Sequence, residues 1–385
     1  MTYKKAILLM PVFLLCLMSC SREKRYACED YIINSPTAYT SDNGYNILQL
    51  SDTHISNQSD RDLQYRFIKK TIDLSKSYLA ERNKTLDLII ITGDVFTFST
   101  RIVSNEFFSF LDSQKVYWTC TFGNHDEQAY YSIDWLTGRL NELNRVREES
   151  QQSGEPKSYC VFKDLQDDDV FGNANFVINI RDKNNRNIEQ LYMFDSNRYN
   201  YGDGASYDCI HYDQIDWYDR MVRYFCPNGA LILPSLAFFH IPLQEYLTIY
   251  DAAINDETKS EDNRENIFLK DVGTGQILKE RREKGSPSKI NTHLYDKMKE
   301  LRSTVGVFVG HDHRNSFAAM NKNDNIVMSY GVKATDSIYS DEDLLGGQLI
   351  MIKKNIIGEN PDLNENFDIH QILHKYADLG GNQYE

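Results

Sequence analysis

"TCTFGNHDEQ", residues 119–128, sets an apolar run directly before Gly123, Asn124, His125 and Asp126. These four small or polar residues pack no core, so a buried strand at this point serves to carry polar side chains to its end. A single copy would mean little, but the pattern recurs. "NILQLSDTH" (46–54) ends in Asp52 and His54, and "LIIITGD" (88–94) ends in Gly93 and Asp94. "SLAFFH" (235–240) ends in His240, and "VGVFVGHDH" (305–313) ends in His311 and His313. The apolar runs predict strands, each delivering imidazole, carboxylate or carboxamide groups at its C-terminal end. That edge is where open α/β sheets bind their ligands. The donors are hard oxygen and borderline nitrogen, without sulfur, which suits zinc, manganese or iron in a hydrolytic centre.

Taken singly, the pieces are weak. An Asp-x-His triplet arises by chance, Gly-Asp after a strand is usually a turn, and a lone His240 is more often structural than a ligand. Gly-Asn-His-Asp is much rarer, and Gly-His-x-His after a strand is moderately specific. The order and strand placement of all five carry the reading. His370 and His374 stand four residues apart, but "HQILH" lacks the glutamate of a zinc-protease helix. Together with His211 and His293 they read as surface or structural.

The chain has 385 residues, 41% apolar and 25% charged, enough for one large core or two modest ones. Its formal charge of -14 argues against non-specific nucleic-acid binding, since no basic stripe offsets phosphate repulsion. A metal centre could still draw a small phosphate locally. "MTYKKAILLMPVFLLCLMSC" opens the chain with Lys4 and Lys5 before an apolar run too short to span a membrane. Its Leu17-Met18-Ser19-Cys20 ending resembles a bacterial lipoprotein signal, which implies lipidation of Cys20. The alternative is an ordinary cleaved secretory signal. Both place the protein outside the cytoplasm, in the cell envelope or secreted, and removal of residues 1–19 leaves a charge of -16. The remaining cysteines, Cys28, Cys120, Cys160, Cys209 and Cys226, have no CxxC spacing and read as small buried residues or simple bridges.

Along the chain, residues 20–43 read as a tether, followed by one domain over 44–355 and a C-terminal tail over 356–385. Helical spacing is predicted over 60–82, 105–114 and 213–224, and a hairpin around "RDKNNRN" (181–187). Residues 141–169 read as a polar surface excursion and 251–290 as a charged insertion. "VGVFVG", "NIVMSYG" and "GGQLIMI" are predicted strands, and a short helix is expected near the C-terminus.

The ordered set resembles the calcineurin-like metallophosphoesterase superfamily from about Tyr45 to Ile352. "HIPLQEY", "VFVGHDHRN" and "DQIDWY" are most similar to its purple-acid-phosphatase-like branch. The resemblance implies an α/β fold, a four-layer αββα sandwich of two mixed β-sheets flanked by helices. It also implies two divalent or trivalent metal ions (Zn, Mn or Fe). Asp52, His54, Asp94 and His313 would hold one; Asp94, Asn124, His240 and His311 would hold the other, with Asp94 bridging. Such a pair clamps the attacking and leaving oxygens of a phosphate and activates the attacking water. His125 would assist the leaving or equatorial phosphate oxygen, and Asp126 would orient its ring. One departure stands out. Purple acid phosphatases carry a tyrosine ligand three residues after the bridging aspartate, where this chain has Thr97. A tyrosinate colour is therefore not expected.

The implied activity is extracytoplasmic phosphoester hydrolysis of a small substrate, read as a phosphomonoesterase, with a phosphodiesterase or nucleotidase using the same centre as the alternative. Arg198 and Arg314 are candidate substrate contacts, weighed against solvated salt bridges. A reading of another class is a lipid-anchored binding protein with an inactive metal site, to which the complete ligand set is opposed.

Overall fold

Two β-sheets packed face to face hold the core, and the computed structural model describes residues 26–165, 168–200, 206–227, 232–353 and 366–379. The first half of the chain contributes β1 (Ile32–Asn34), β2 (Tyr45–Leu50), β3 (Leu88–Thr92) and β4 (Tyr117–Thr121). Helices α1 (Arg61–Ala80), α2 (Arg101–Ser113) and α3 (Ile133–Gln151) follow β2, β3 and β4 in turn. Next come β5 (Phe176–Arg181), β6 (Asn187–Met193), the short pair β7 (Tyr199–Asn200) and β8 (Ser206–Tyr207), and α4 (Tyr212–Phe225). The rest is β9 (Ser235–Phe238), α5 (Glu245–Asp256), β10 (Asn266–Phe268), α6 (Leu294–Leu301) and β11 (Thr304–Val309). Strands β12 (Ala318–Asn321), β13 (Ile326–Tyr330), β14 (Gly346–Ile352) and β15 (Phe367–Leu373) complete it.

One sheet has five strands in the order β15-β14-β2-β3-β4, and the other has eight, β1-β5-β6-β9-β11-β13-β12-β10. Both are mixed. The site-bearing strands are parallel to their neighbours: β2 to β3, β3 to β4, and β9 to β11. All their C-terminal ends therefore lie at one edge of each sheet. Alternation in the eight-stranded sheet separates two cores. Leu236 and Phe238 of β9 join Leu191 and Met193 of β6 in the layer shared with the five-stranded sheet, where Ile47, Ile90 and Ile350 meet them. Ala237, Tyr192 and Val307 face the other way, toward Trp217 and Met221 of α4, Tyr246 of α5 and Met298 of α6. Helices α1, α2 and α3 cover the outer face of the five-stranded sheet through Ile68, Phe108 and Leu140. The result is the four-layer αββα sandwich. Each of these three helices starts on a side-chain cap: Asp60 to Leu63 N, Thr100 to Val103 N and Ser132 to Trp135 N.

Four expectations from the sequence need correction. The described part of residues 141–169 is not an excursion: α3 runs on to Gln151 and buries Leu143, Asn144 and Arg147, and Cys160, Val161 and Phe162 behind it are fully buried. Its buried Arg147 donates from Nε to the Cys160 carbonyl at 2.9 Å, so a charge that reads as solvated is a strut. The tether is shorter than residues 20–43, because β1 joins the sheet edge beside β5 and buries Ile33. The tail contains β15, paired with β14 from Gly346↔Leu373 to Ile352↔Phe367. The insertion begins inside α5 and adds β10 to the sheet edge beside β12, a strand that the sequence pattern did not single out. No helix among the described residues is long and apolar enough to cross a membrane. The signal segment and Cys20 lie outside the described residues. The five later cysteines are free thiols.

Candidate metal centre

The C-terminal ends of β2, β3 and β4 meet those of β9 and β11 across the seam between the sheets. Four of the residues delivered there have left-handed backbones: Asp52 (φ 54°), His54 (φ 45°), Asp94 (φ 49°) and His311 (φ 80°). Such conformations are costly for residues with a Cβ and persist where the surrounding structure enforces them. The packing also requires glycine. A Cβ on Gly93 would lie 2.6 Å from the His240 ring, and one on Gly123 would lie 2.6 Å from both Asp94 N and His240 Cδ2. The glycines before Asp94 and Asn124 thus let three loops close on one another.

The side chains converge as two groups sharing Asp94. In the first, His54 Nε2 is 3.1 Å from His313 Nε2 and 3.6 Å from Asp94 Oδ2, while His313 Nε2 is 3.3 Å from Asp52 Oδ1. In the second, His240 Nε2 is 3.1 Å from Asp94 Oδ2 and 3.3 Å from His311 Nδ1. All six of these residues are buried. Asn124 is buried beside them, and its Oδ1 has no hydrogen-bond partner, while its Nδ2 donates to Tyr199 Oη at 2.9 Å. Asp52 Oδ1 is likewise buried without a partner.

The tautomers test whether a cation fits. His240 Nδ1 lies 2.8 Å from the Thr92 carbonyl, and His313 Nδ1 lies 3.0 Å from the Tyr339 carbonyl. A carbonyl only accepts, so both Nδ1 atoms carry a proton, and both Nε2 atoms face a carboxylate oxygen, where lone pair meets lone pair unless a proton or a metal cation lies between. Lone pair facing lone pair at 3.1–3.3 Å is repulsive unless a positive charge lies between them. The titration behaviour of the bare residues says the same. Burial disfavours a charged His240, yet Asp94 outweighs it and raises the ring to about 10. Burial also opposes ionisation of Asp52, but His313 and His240 hold its carboxyl well below the usual range. His311 is pushed down to about 3 by burial and by His240, and His54 is lowered by burial and Lys333. Two carboxylates, four imidazoles and one amide oxygen therefore form a site short of positive charge, and two cations would supply it.

Sequence reasoning missed several partners. Thr97, noted only as a departure, places Oγ1 2.7 Å from His54 Nδ1 and so orients that ring instead of binding as a ligand. Lys333 is buried, donates from Nζ to the Asp52 carbonyl at 2.9 Å, and is pushed down to about 8 by burial. Tyr339 stacks on His313 with ring centroids 4.3 Å apart, and Tyr207 meets His311 edge-on at 4.3 Å. None of the four belongs to a local motif.

His125 stands at the rim, half-buried, its ring 5.0 Å from that of His54. The role expected for Asp126 differs in the structure. Its carboxylate accepts from Phe96 N and Gly123 N, both at 2.8 Å, tying the β3 loop to the β4 loop; burial and Asp94 raise it to about 7. The group at His125 Nδ1 is Gln128 Oε1, at 2.8 Å. Residues Asp126–Gln128 form a 3₁₀ turn, whose period of three brings residue 128 alongside residue 125. Arg198 pairs with Glu127 at 3.0 Å and Arg314 with Asp341 at 3.0 Å, so both resolve as ion pairs in this structure.

The sequence model of the calcineurin-like phosphoesterase family matches residues 45–315, and the chain belongs to that family. Its relatives place it in the purple-acid-phosphatase-like branch. It is 28% identical over 313 residues to "Probable inactive purple acid phosphatase 29" of Arabidopsis thaliana, covering 74% of this chain and 71% of that protein. It is 24% identical over 311 residues to "Probable inactive purple acid phosphatase 14" of the same plant, covering 73% and 68%. "Phosphatase DCR2" of Saccharomyces cerevisiae is 24% identical over 309 residues, covering 72% of this chain and 45% of that longer protein. The family works with a dinuclear metal site, and the buried Asp/His cluster stands where such a site belongs.

Proposed function

We propose that the protein is an active extracytoplasmic phosphohydrolase, a phosphomonoesterase for a small phosphate ester, held to the cell envelope by a lipid on Cys20. The observation that carries the reading is the undamaged donor set, in which the buried Nε2 atoms of His240 and His313 face Asp94 and Asp52. Asp52, His54, Asp94 and His313 would hold one ion of zinc, manganese or iron, and Asp94, Asn124, His240 and His311 the other. When bound, such a pair supplies the Lewis acidity that phosphoester hydrolysis needs near neutral pH. The chain's own residues supply the rest. Gln128 accepts from His125 Nδ1 and fixes the ring, leaving His125 Nε2 to exchange a proton with the leaving oxygen. Asp126 holds the β3 and β4 loops in register beneath it. Thr97 and the Tyr339 carbonyl fix the rings of His54 and His313.

Two relatives carry "inactive" in their names, which favours a second reading, a binding protein whose metal site does not turn over substrate. One experiment separates the two. Elemental analysis of purified protein is run beside a panel of phosphomonoesters and phosphodiesters, with Asp94→Asn as the control. The proposal expects two metal equivalents, metal-dependent turnover that favours monoesters, and no visible tyrosinate-to-iron band, since Thr97 occupies the tyrosine's position. Fully metallated protein that hydrolyses nothing on the panel would refute it, and diester preference would correct the substrate class.

A further inference from the structure

Three apolar residues among those described stand on left-handed backbones: Phe98, Ala174 and Ile338. Ala174 is small and buried. The two large ones, Phe98 (φ 48°) and Ile338 (φ 68°), are 45% and 54% exposed. The left-handed region is costly for a residue with a Cβ, most of all a β-branched one, whereas asparagine or glycine adopts it readily. A loop that only had to turn there would carry one of those, as it does at Asn83, Asn185 and Asn325. Here a strained backbone instead holds a phenyl ring and an isoleucine partly in water, where they add little to the core.

Both residues stand beside the metal centre. Phe98 follows Thr97, whose Oγ1 is 2.7 Å from His54 Nδ1, and its ring lies 6.4 Å from that of Tyr130, which is 64% exposed. Tyr130 N donates to the Ser99 carbonyl at 2.9 Å, so these two rings form one lip of the mouth. Ile338 precedes Tyr339, whose ring stacks on His313 and whose carbonyl accepts from His313 Nδ1. This pair forms a second lip, anchored where Ser337 Oγ donates to the Thr53 carbonyl at 3.1 Å. Because His54 Nε2 and His313 Nε2 are 3.1 Å apart, the two lips flank the same ligands. Charge at the mouth is compensated: Arg198 pairs with Glu127, and Arg314 with Asp341. The loop of Ile338 also exposes Asp336 and Glu342, so a second anionic group is disfavoured there.

Resting on the phosphohydrolase reading, we infer that these lips receive the alcohol portion of the substrate and that this portion is an uncharged hydrocarbon group. A phosphate held at the ligands carries its alcohol outward. Its leaving oxygen is met by His125, whose ring is 5.0 Å from that of His54. The alcohol therefore lies on the side where Phe98 and Tyr130 stand, with Ile338 and Tyr339 beside it. A methylene fully removed from water raises affinity about fourfold, and one half covered about twofold. Four further methylenes on these open lips thus correspond to roughly fifteenfold.

Calorimetry on the metal-loaded protein compares ethylphosphonate with hexylphosphonate, neither of which can be hydrolysed. The expected ratio of Kd, ethyl over hexyl, is about fifteen in the wild type and below about four in Phe98→Asn/Ile338→Asn. Asparagine suits both left-handed backbones, so this variant keeps its fold, which its urea unfolding midpoint checks. Tyr130→Ser, at a residue without that strain, is a second probe and should lower the ratio as well. A wild-type ratio below about three, or a ratio that neither variant lowers, overturns the inference. Self-association of the wild type that the double variant lacks, with no dependence on chain length, would overturn it in favour of a second copy of the chain. Hexyl phosphate should likewise exceed ethyl phosphate in kcat/KM. If neither ester is hydrolysed, the phosphonate ratio still decides the role of the lips, and the phosphohydrolase reading alone falls.

Discussion

Glu189 is fully buried in β6, on the same face as Leu191 and Met193, and neither of its carboxylate oxygens makes a hydrogen bond. Burial pushes its carboxyl from 4.5 up to about 8; the Asn366 amide nearby eases the charge but does not cancel that rise. Below pH 4.5 the folded and unfolded chains are both protonated at this residue, and it has no effect on the pH dependence of stability. Above it, the unfolded chain releases the proton while the folded one keeps it, so stability falls as pH rises. The fall levels off once the folded pKa is passed. The shift corresponds to a loss of about 5 kcal/mol across the whole window, of which about 3 kcal/mol has occurred by pH 7. Glu189→Gln keeps the shape and removes the titration. Urea unfolding midpoints measured from pH 4.5 to 8.5 should decline more steeply for the wild type than for Glu189→Gln. The variant comparison isolates this residue from other buried acids, such as Asp87 and Asp312, each raised by burial to about 6. Parallel curves for the two proteins would refute the argument, since they would mean that water or a shifted strand solvates the carboxylate.

Asp94 is shared by both groups of the centre, so Asp94→Asn is expected to lose metal and activity together. His125→Ala should keep near-normal metal content while kcat falls by about 10²–10⁴; metal loss in that variant would make His125 a ligand and undo its separation from the centre. If Cys20 is the lipid attachment point, Cys20→Ser should leave membrane fractions or retain its signal segment, and a normally processed variant that stays membrane-bound would exclude the anchor.

The site was legible in the sequence because each strand carries its polar cargo within a few residues of its own end. Asp52, His54, Asp94, Asn124, His240, His311 and His313 could be read from contiguous runs, and the structure brings them together. What could not be read is how loops distant in sequence meet. Thr97 beside His54 and Lys333 beside Asp52 span gaps of 43 and 281 residues. The Asp126 expectation failed for a local reason. Adjacency suggested contact with His125, but a tight 3₁₀ turn points the next side chain back toward Gly123 and Phe96, and brings Gln128 alongside the ring instead. In the fold, α3 escaped notice because its apolar positions are diluted by glutamates and arginines. Strand β15 was overlooked because an edge strand with alternating burial resembles a polar tail when its partner is not in view.

The two sheets are separate hydrogen-bonded units, and the donors for the centre are divided between them: β2, β3 and β4 on one side, β9 and β11 on the other. Apart from oily packing, polar links such as Gln49 Nε2 to the Val309 carbonyl, at 3.1 Å, cross that boundary. Ions coordinated from both sides would therefore work as rivets, transmitting shear from one sheet to the other at the mouth, while the far end relies on packing and on hydrogen bonds such as Ser35 Oγ to Tyr45 Oη and Tyr39 Oη to the Lys353 carbonyl, both 2.7 Å. Their binding energy becomes resistance to sliding. Chelation should accordingly loosen amide protection at the ligand-bearing ends of β2, β3, β9 and β11 first, with the opposite ends of those strands responding least.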